Sequence, residues 1–302
     1  MSDGAVDSLN GRVALITGAN TGIGLVTACE LARRGAHVFS ACRSPQRAEA
    51  AAARIRADVP NAQLELLELD LGDFASVQRC AEAFLSRQLP LHLLINNAGV
   101  AGGGGLTASG FELAFGINHM GHFLLTQLLL DRMRSSAPGR IVTVASRAHQ
   151  RVRASDFDWI ALRRRGKGLT KLREYGVSKL ANVLFSAELA RRLEGTGIHT
   201  YALHPGVVAT EVWRRVPWPF EPLIKRFMLS VEEGALTTLH CATSAAVAGE
   251  TGLYYDECRA VPAAAVGRDP ALAAELWARS AAWVEPWLAR SDAARALENT
   301  RA

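Results

Sequence analysis

Short apolar runs, each closed by a polar or glycine-containing turn and followed by ten or more residues of helical patterning, recur along this chain and limit its fold more than any other feature. The runs fall at residues 12–16, 37–42, 64–69, 91–95, 140–145, 198–203 and 252–255. Strands that alternate with helices require right-handed crossovers, and these place successive strands parallel in one sheet with helices on both faces. The pattern therefore predicts one doubly wound α/β domain around a seven-stranded, mostly parallel sheet.

The 302 residues contain no Pro- or Ser-rich linker, so a single domain is expected over residues 11–290, after a flexible segment 1–10 and before a polar tail 291–302. Residues 147–173 are charged and irregular and read as a loop insertion over one edge. The segment around 211–230 mixes Trp213, Trp218, Phe220 and Phe227 with Pro and Arg, a composition suited to a lid with an apolar inner face. Five cysteines without a CxxC spacing argue against a disulfide framework or a zinc site and point to a reducing, cytoplasmic setting. Met1 is not followed by an apolar run, so neither a signal peptide nor a membrane span is expected. The net charge of +5 comes from arginines scattered among acids, which does not suit nucleic acid; an anionic cofactor explains it as well. The run Arg163 to Lys167 reads as a solvated loop.

Three stretches carry chemistry. Thr17 to Gly24 (TGANTGIG) follows the first strand and opens the first helix. Gly18, Gly22 and Gly24 permit a tight turn and close backbone approach, and the free amides of a helix start attract phosphate. At the end of the second strand stand Cys42 and Arg43, with no acid to repel a 2′-phosphate, which favours NADP(H) over NAD. Asp70, after the third strand, could accept from an adenine amino group or cap the next helix. Tyr175 and Lys179 are four residues apart on a helix, hence on one face. A lysine charge beside a phenol should lower the phenol pKa toward neutrality and make it a proton donor or acceptor.

Together these motifs resemble a classical short-chain dehydrogenase/reductase: TGANTGIG, NNAG at Asn96 to Gly99, Asn118 in a long helix, Ser146 after the fifth strand, YxxxK at Tyr175 and Lys179, and a Pro205-Gly206 loop closing at Thr210. All occur in order over roughly residues 10 to 255. ACR at Ala41 to Arg43, INHMGHFLLTQLLL at Ile117 to Leu130, SRAH at Ser146 to His149 and DFD at Asp156 to Asp158 resemble the retinol dehydrogenase branch. The resemblance implies a Rossmann-type fold with strand order 3-2-1-4-5-6-7 and a catalytic set of Asn118, Ser146, Tyr175 and Lys179. Tyr175 would exchange the proton as hydride passes to or from a nicotinamide, and Lys179 would lower its pKa and hold the nicotinamide ribose. Ser146 would bond the substrate oxygen, and Asn118 would anchor a water that passes the proton outward. The implied cofactor contacts are Gly18, Asn20, Thr21, Gly22, Ile23, Gly24, Arg43, Asp70, Leu71, Asn97, Ala98, Gly99, Tyr175, Lys179, Pro205, Gly206, Val208 and Thr210.

The expected activity is NADP(H)-dependent interconversion of an alcohol with an aldehyde or ketone, apolar in view of the lid aromatics. The alternative is a non-catalytic NADP(H)-binding sensor or scaffold. Peripheral membrane contact through residues 213–229 is a further expectation, as is a homodimer or tetramer through the helices near 111–133 and 173–193. His119, His122, His149 and His204 lack metal-ligand spacing and are assigned packing or hydrogen-bonding roles. Ser146 has no nucleophile elbow around it and does not read as a hydrolase nucleophile.

Overall fold

The structure, a computed structural model, describes residues 8–102, 104–164, 172–206 and 230–299. One sheet runs through the molecule: β1 (Val13–Thr17), β2 (His37–Cys42), β3 (Leu64–Glu68), β4 (Leu93–Asn96), β5 (Gly139–Val144), β6 (Ile198–His204), β7 (Leu253–Asp256) and β8 (Arg259–Val261). Their spatial order is β3-β2-β1-β4-β5-β6-β7-β8. The first seven pair in parallel, and β8 is antiparallel to β7. The order expected from sequence is thus present, with one strand more. The sequence hides β8 because it is three residues long, largely exposed, and lacks an apolar run.

Adjacent residues of β1 face opposite ways into two cores, which is why the run is apolar throughout. Ala14 and Ile16 pack on α1 (Gly22–Arg33), α2 (Pro45–Asp58) and α7 (Val231–Thr243). Val13 and Leu15 face α3 (Phe74–Leu85), α5 (Gly121–Ser135), α6 (Leu172–Arg192) and α8 (Pro270–Asn299). A Val, Leu or Ile buried this fully contributes about 1.5–3 kcal/mol each.

The long helical stretch expected over 110–133 is broken: α4 (Leu113–Phe115) passes into a π-turn at Gly116–Met120 before α5 begins. The combined helix Leu113–Ser135 is long and apolar enough to cross a membrane, but 83% of its most apolar window is buried inside the protein, so it is a core helix here. Within the insertion expected at 147–173, the described residues 147–164 are less irregular than their charge suggests. Three 3-10 turns (Arg147–Arg151, Ala154–Asp156, Ala161–Arg163) are held down by buried Val152, Phe157 and Leu162.

Asp269 caps α8, its Oδ1 accepting from the amides of Ala271 and Leu272, with Pro270 at the first helical position. The helix continues to Asn299, through most of the range expected as a polar tail, because that range carries helix-favouring Ala, Leu, Arg and Glu. α8 lies on α5 and α6. Trp277 stacks on Phe185 at 5.9 Å and meets Phe123 edge-on at 5.0 Å, and the Ser280 hydroxyl bonds His119. Most of α6 from Gly176 to Ala190 is buried within one chain, so the helix faces expected to join subunits are largely covered by the protein itself.

Candidate active site

The site forms where β1, β4, β5 and β6 end. Leaving β1, the chain turns at Gly18 (φ +69°) and Gly22 (φ +54°), a left-handed geometry that suits glycine. Gly24 is required for another reason: a Cβ there would lie 2.4 Å from the Gly18 carbonyl oxygen and 2.5 Å from Asn97 Nδ2. Thr21 precedes α1 in an extended conformation without capping it, so the first-turn amides receive no side-chain acceptor from the N-cap. A glycine-lined turn leading into an uncapped helix start fits a pyrophosphate. Asn20 and Thr21 are half-buried in that turn and Ile23 is buried behind it. The Gly18 amide donates to the Ala41 carbonyl at 2.8 Å, and the Ala19 and Asn20 amides reach the buried Cys42 sulfur. This ties the turn to the end of β2, where Arg43 is exposed.

Asp70 follows β3, and its Oδ1 accepts the Gly72 amide at 2.8 Å, so the carboxylate holds its own turn; the cap of α3 is Asp73. Leu71 is buried, its carbonyl packed where a Gly121 side chain would otherwise go. Asn97, Ala98 and Gly99 continue β4. The Thr17 hydroxyl accepts the amides of Asn97 and Ala98, both at 3.0 Å, and Asn97 Nδ2 donates to the Thr17 carbonyl at 2.8 Å. His122 Nδ1 donates to the Asn118 carbonyl at 2.9 Å, so its Nε2 is left to accept the Thr17 proton at 2.8 Å. Burial pushes His122 down to about 4, which keeps the ring neutral for this role. His122 has the hydrogen-bonding role expected of it, but its partner Thr17 was missed by sequence reasoning, since the two meet across 105 residues.

Asn118 lies in the π-turn, a distortion frequent at functional sites. Its Oδ1 accepts from the Val100 amide, and its Nδ2 donates to the Val100 carbonyl and to Ser178 Oγ. Ser178 in turn donates to the Tyr175 carbonyl. The Asn118 amide group is thus engaged by Val100 and, through Ser178, by the turn of α6 that carries Tyr175.

Ser146 is buried beyond β5 and caps the turn that follows, Oγ accepting the Ala148 amide at 3.2 Å. Its hydroxyl also lies within side-chain hydrogen-bonding reach of the half-buried Tyr175 phenol. Lys179 sits 5.7 Å from the Tyr175 ring centroid and donates to the Val144 carbonyl at 2.7 Å, an acceptor shared with Asn182 Nδ2 at 3.1 Å. A Cβ on Gly99 would lie 3.4 Å from Lys179 Nζ and 3.3 Å from Asn118 Oδ1, so the end of β4 converges on the same point. Ser146, Tyr175, Lys179 and Asn118 are therefore brought together as the sequence predicts.

The electrostatics differ from what the Tyr-Lys spacing alone suggests. Burial raises the Tyr175 pKa, with the Ser146 hydrogen bond opposing it, and burial lowers Lys179 to about 7. Desolvation disfavours both charged forms more than the four-residue spacing favours them. Pro205 and Gly206 (φ +88°) leave β6 half-buried; Val208, Thr210 and the lid aromatics lie outside the described residues. Of the remaining histidines, His119 is buried against Ser280, His149 is bonded at both ring nitrogens, and His204 is buried with neither nitrogen bonded.

The sequence pattern of the short chain dehydrogenase family matches residues 12–156. Human retinol dehydrogenase 12 is 46% identical over 276 residues, covering 89% of this chain and 85% of that protein. An uncharacterised protein from Mycobacterium Paratuberculosis superposes with a TM-score of 0.72 at 35% identity, covering 92% of this chain and 95% of that one. NADPH-bound carbonyl reductase from chicken fatty liver superposes with a TM-score of 0.63 at 26% identity, covering 84% and 99%.

Proposed function

Because this chain belongs to the short-chain dehydrogenase family, in its retinol dehydrogenase-like branch, and is an NAD(P)-dependent oxidoreductase acting on CH–OH groups, we propose that it uses NADP(H) to interconvert an apolar alcohol with its aldehyde or ketone. The observation that carries the reading is the convergence of Ser146, Tyr175 and Lys179 beside Gly99 at the strand ends. The cofactor, when bound, supplies or accepts the hydride. Gly18, Gly22, Gly24 and the uncapped start of α1 hold its pyrophosphate, while Asn97 to Gly99 and Lys179 hold its ribose groups. Ser146 Oγ orients the substrate oxygen and donates to it as negative charge develops. With its pKa raised, Tyr175 stays protonated at neutral pH and delivers its Oη proton to the substrate oxygen in the reductive direction.

The preference for NADP(H) is supported by Arg43, exposed at the end of β2 with a cysteine before it and a serine after it. The apolar substrate is supported by the lid composition and by the retinol dehydrogenase name of a relative. A cytoplasmic location is supported by five free cysteines. The face that α8 covers bears on assembly: a homo-oligomer of this protein would need a surface other than α5 and α6.

The test is turnover of medium-chain, aromatic and retinoid aldehydes with NADPH and NADH. Tyr175→Phe is expected to lower kcat by about 10²–10⁴-fold while NADPH still binds. Arg43→Ala is expected to erode the preference for NADPH over NADH. A Tyr175→Phe rate within about threefold of the parent would overturn the mechanism. Tight NADPH binding with no turnover across the panel would favour a sensor or scaffold instead.

A further inference from the structure

The segment that carries Ser146 is fastened to the far edge of the sheet. His149 is fully buried, three residues beyond Ser146. Its Nδ1 lies 2.7 Å from the Ser146 carbonyl, which can only accept, so Nδ1 carries the ring proton. Its Nε2 accepts the Ala264 amide at 3.2 Å, just beyond β8. The two bonds therefore agree on one neutral tautomer, and burial lowers the ring's pKa in the same sense. One face of the ring is fixed by Tyr254 of β7, edge-on at 4.7 Å. The neighbouring Arg147 forks onto the β7–β8 turn, Nη2 bonding Asp256 at 3.0 Å and Glu257 at 2.9 Å. The segment leaving Ser146 is thus anchored to the β7–β8 hairpin and to the residues just beyond it.

We propose that His149 is a positioning residue for Ser146: its Nδ1–H bond to the Ser146 carbonyl, braced by Ala264 and Tyr254, fixes the backbone from which Ser146 Oγ faces Tyr175. A hydroxyl that must meet both a phenol and a reacting oxygen tolerates little displacement, so a loosened carbonyl acts on rate rather than on cofactor affinity. The inference rests on the reading of Ser146 and Tyr175 given above.

A double-mutant cycle separates this from a packing role. His149→Phe keeps the ring against Tyr254 and the His149 amide's own 3.1 Å bond to the Ser146 carbonyl, but removes both side-chain hydrogen bonds. In the parent background it should lower kcat for aldehyde reduction by about tenfold, with the dissociation constant for NADPH changed less than about twofold. In a Ser146→Ala background it should lower kcat by less than about twofold further, because the group it positions is gone. Two more variants divide the bonds: His149→Asn can still donate near the Nδ1 position, whereas His149→Gln reaches only toward Ala264. Asn is expected to restore more of the parent kcat than Gln, at comparable Tm. Equal losses from His149→Phe in both backgrounds, or Gln restoring as much as Asn, would overturn the proposal. A Ser146→Ala rate equal to the parent's would instead overturn the role of Ser146 itself, a separate outcome read from the same set.

Discussion

Lys179 shows how a single residue can be placed against its own solvation. The amine is almost wholly buried, hydrogen-bonded to the Val144 carbonyl, and lowered to about 7. An unfolded lysine titrates near 10.4. Between those values the unfolded chain binds more protons than the native one, so this group makes stability rise with pH from about 7 to 10, and its full penalty applies below 7. Lys179→Met should therefore raise Tm relative to the parent at pH 6, with the difference shrinking as pH approaches 10; thermal scans across that range check it. A difference that grows with pH would show that the buried amine is not the cause. Activity should vanish in the same variant, the usual conflict between a site's needs and the fold's.

At the scale of elements, what was legible in sequence was what lies close along the chain. TGANTGIG reads as strand, turn and helix because each glycine answers a local constraint, and Tyr175 and Lys179 share a face because a helix turn is four residues long. The eighth strand was illegible, since Arg259–Val261 carries no period of its own and exists only through pairing with β7. The Thr17–His122 and His149–Ala264 bonds span 105 and 115 residues, which no local pattern encodes. The direction of the Tyr175 shift was missed for a related reason: spacing reports the neighbouring charge, but only the packed structure reports the desolvation. Thr17 joins three elements, taking two amides from the loop after β4 and giving its proton to His122 on α5. Thr17→Val keeps the shape, strands the Ala98 amide and leaves that of Asn97 only the Ile95 carbonyl, at a cost of about 1–3 kcal/mol for the stranded amide if it stays buried and unpaired. We expect a lower Tm and about tenfold weaker NADPH binding by fluorescence titration, because Asn97 and Ala98 would lose their common anchor. Unchanged binding would mean that the loop after β4 holds its shape without the hydroxyl.

For the molecule as a whole, α8 is the element that turns two exposed helices into a core. Trp277 is one of its anchors, packed against Phe123 and Phe185 with the Arg192 guanidinium 4.5 Å from its ring centroid. Trp277→Ala should cost about 3–5 kcal/mol and uncover apolar surface on α5 and α6. Sedimentation velocity should then show concentration-dependent association in the variant beyond any in the parent. Identical sedimentation with a lowered Tm would mean that α8 stays docked through its remaining contacts.

The hairpin that grips Arg147 turns through Glu257 (φ +50°) and Cys258 (φ +60°), two left-handed residues in a row with no glycine between them. Such a corner is an unclaimed reserve of stability. Cys258→Gly would relieve one of the two, by up to about 1 kcal/mol, and would remove a half-exposed thiol in the same change. A higher midpoint in urea with kcat unaltered is the expected mark of a molecule whose most easily improved joint sits on its rim, in a turn that grips Arg147 through the side chains of Asp256 and Glu257 and not through Cys258.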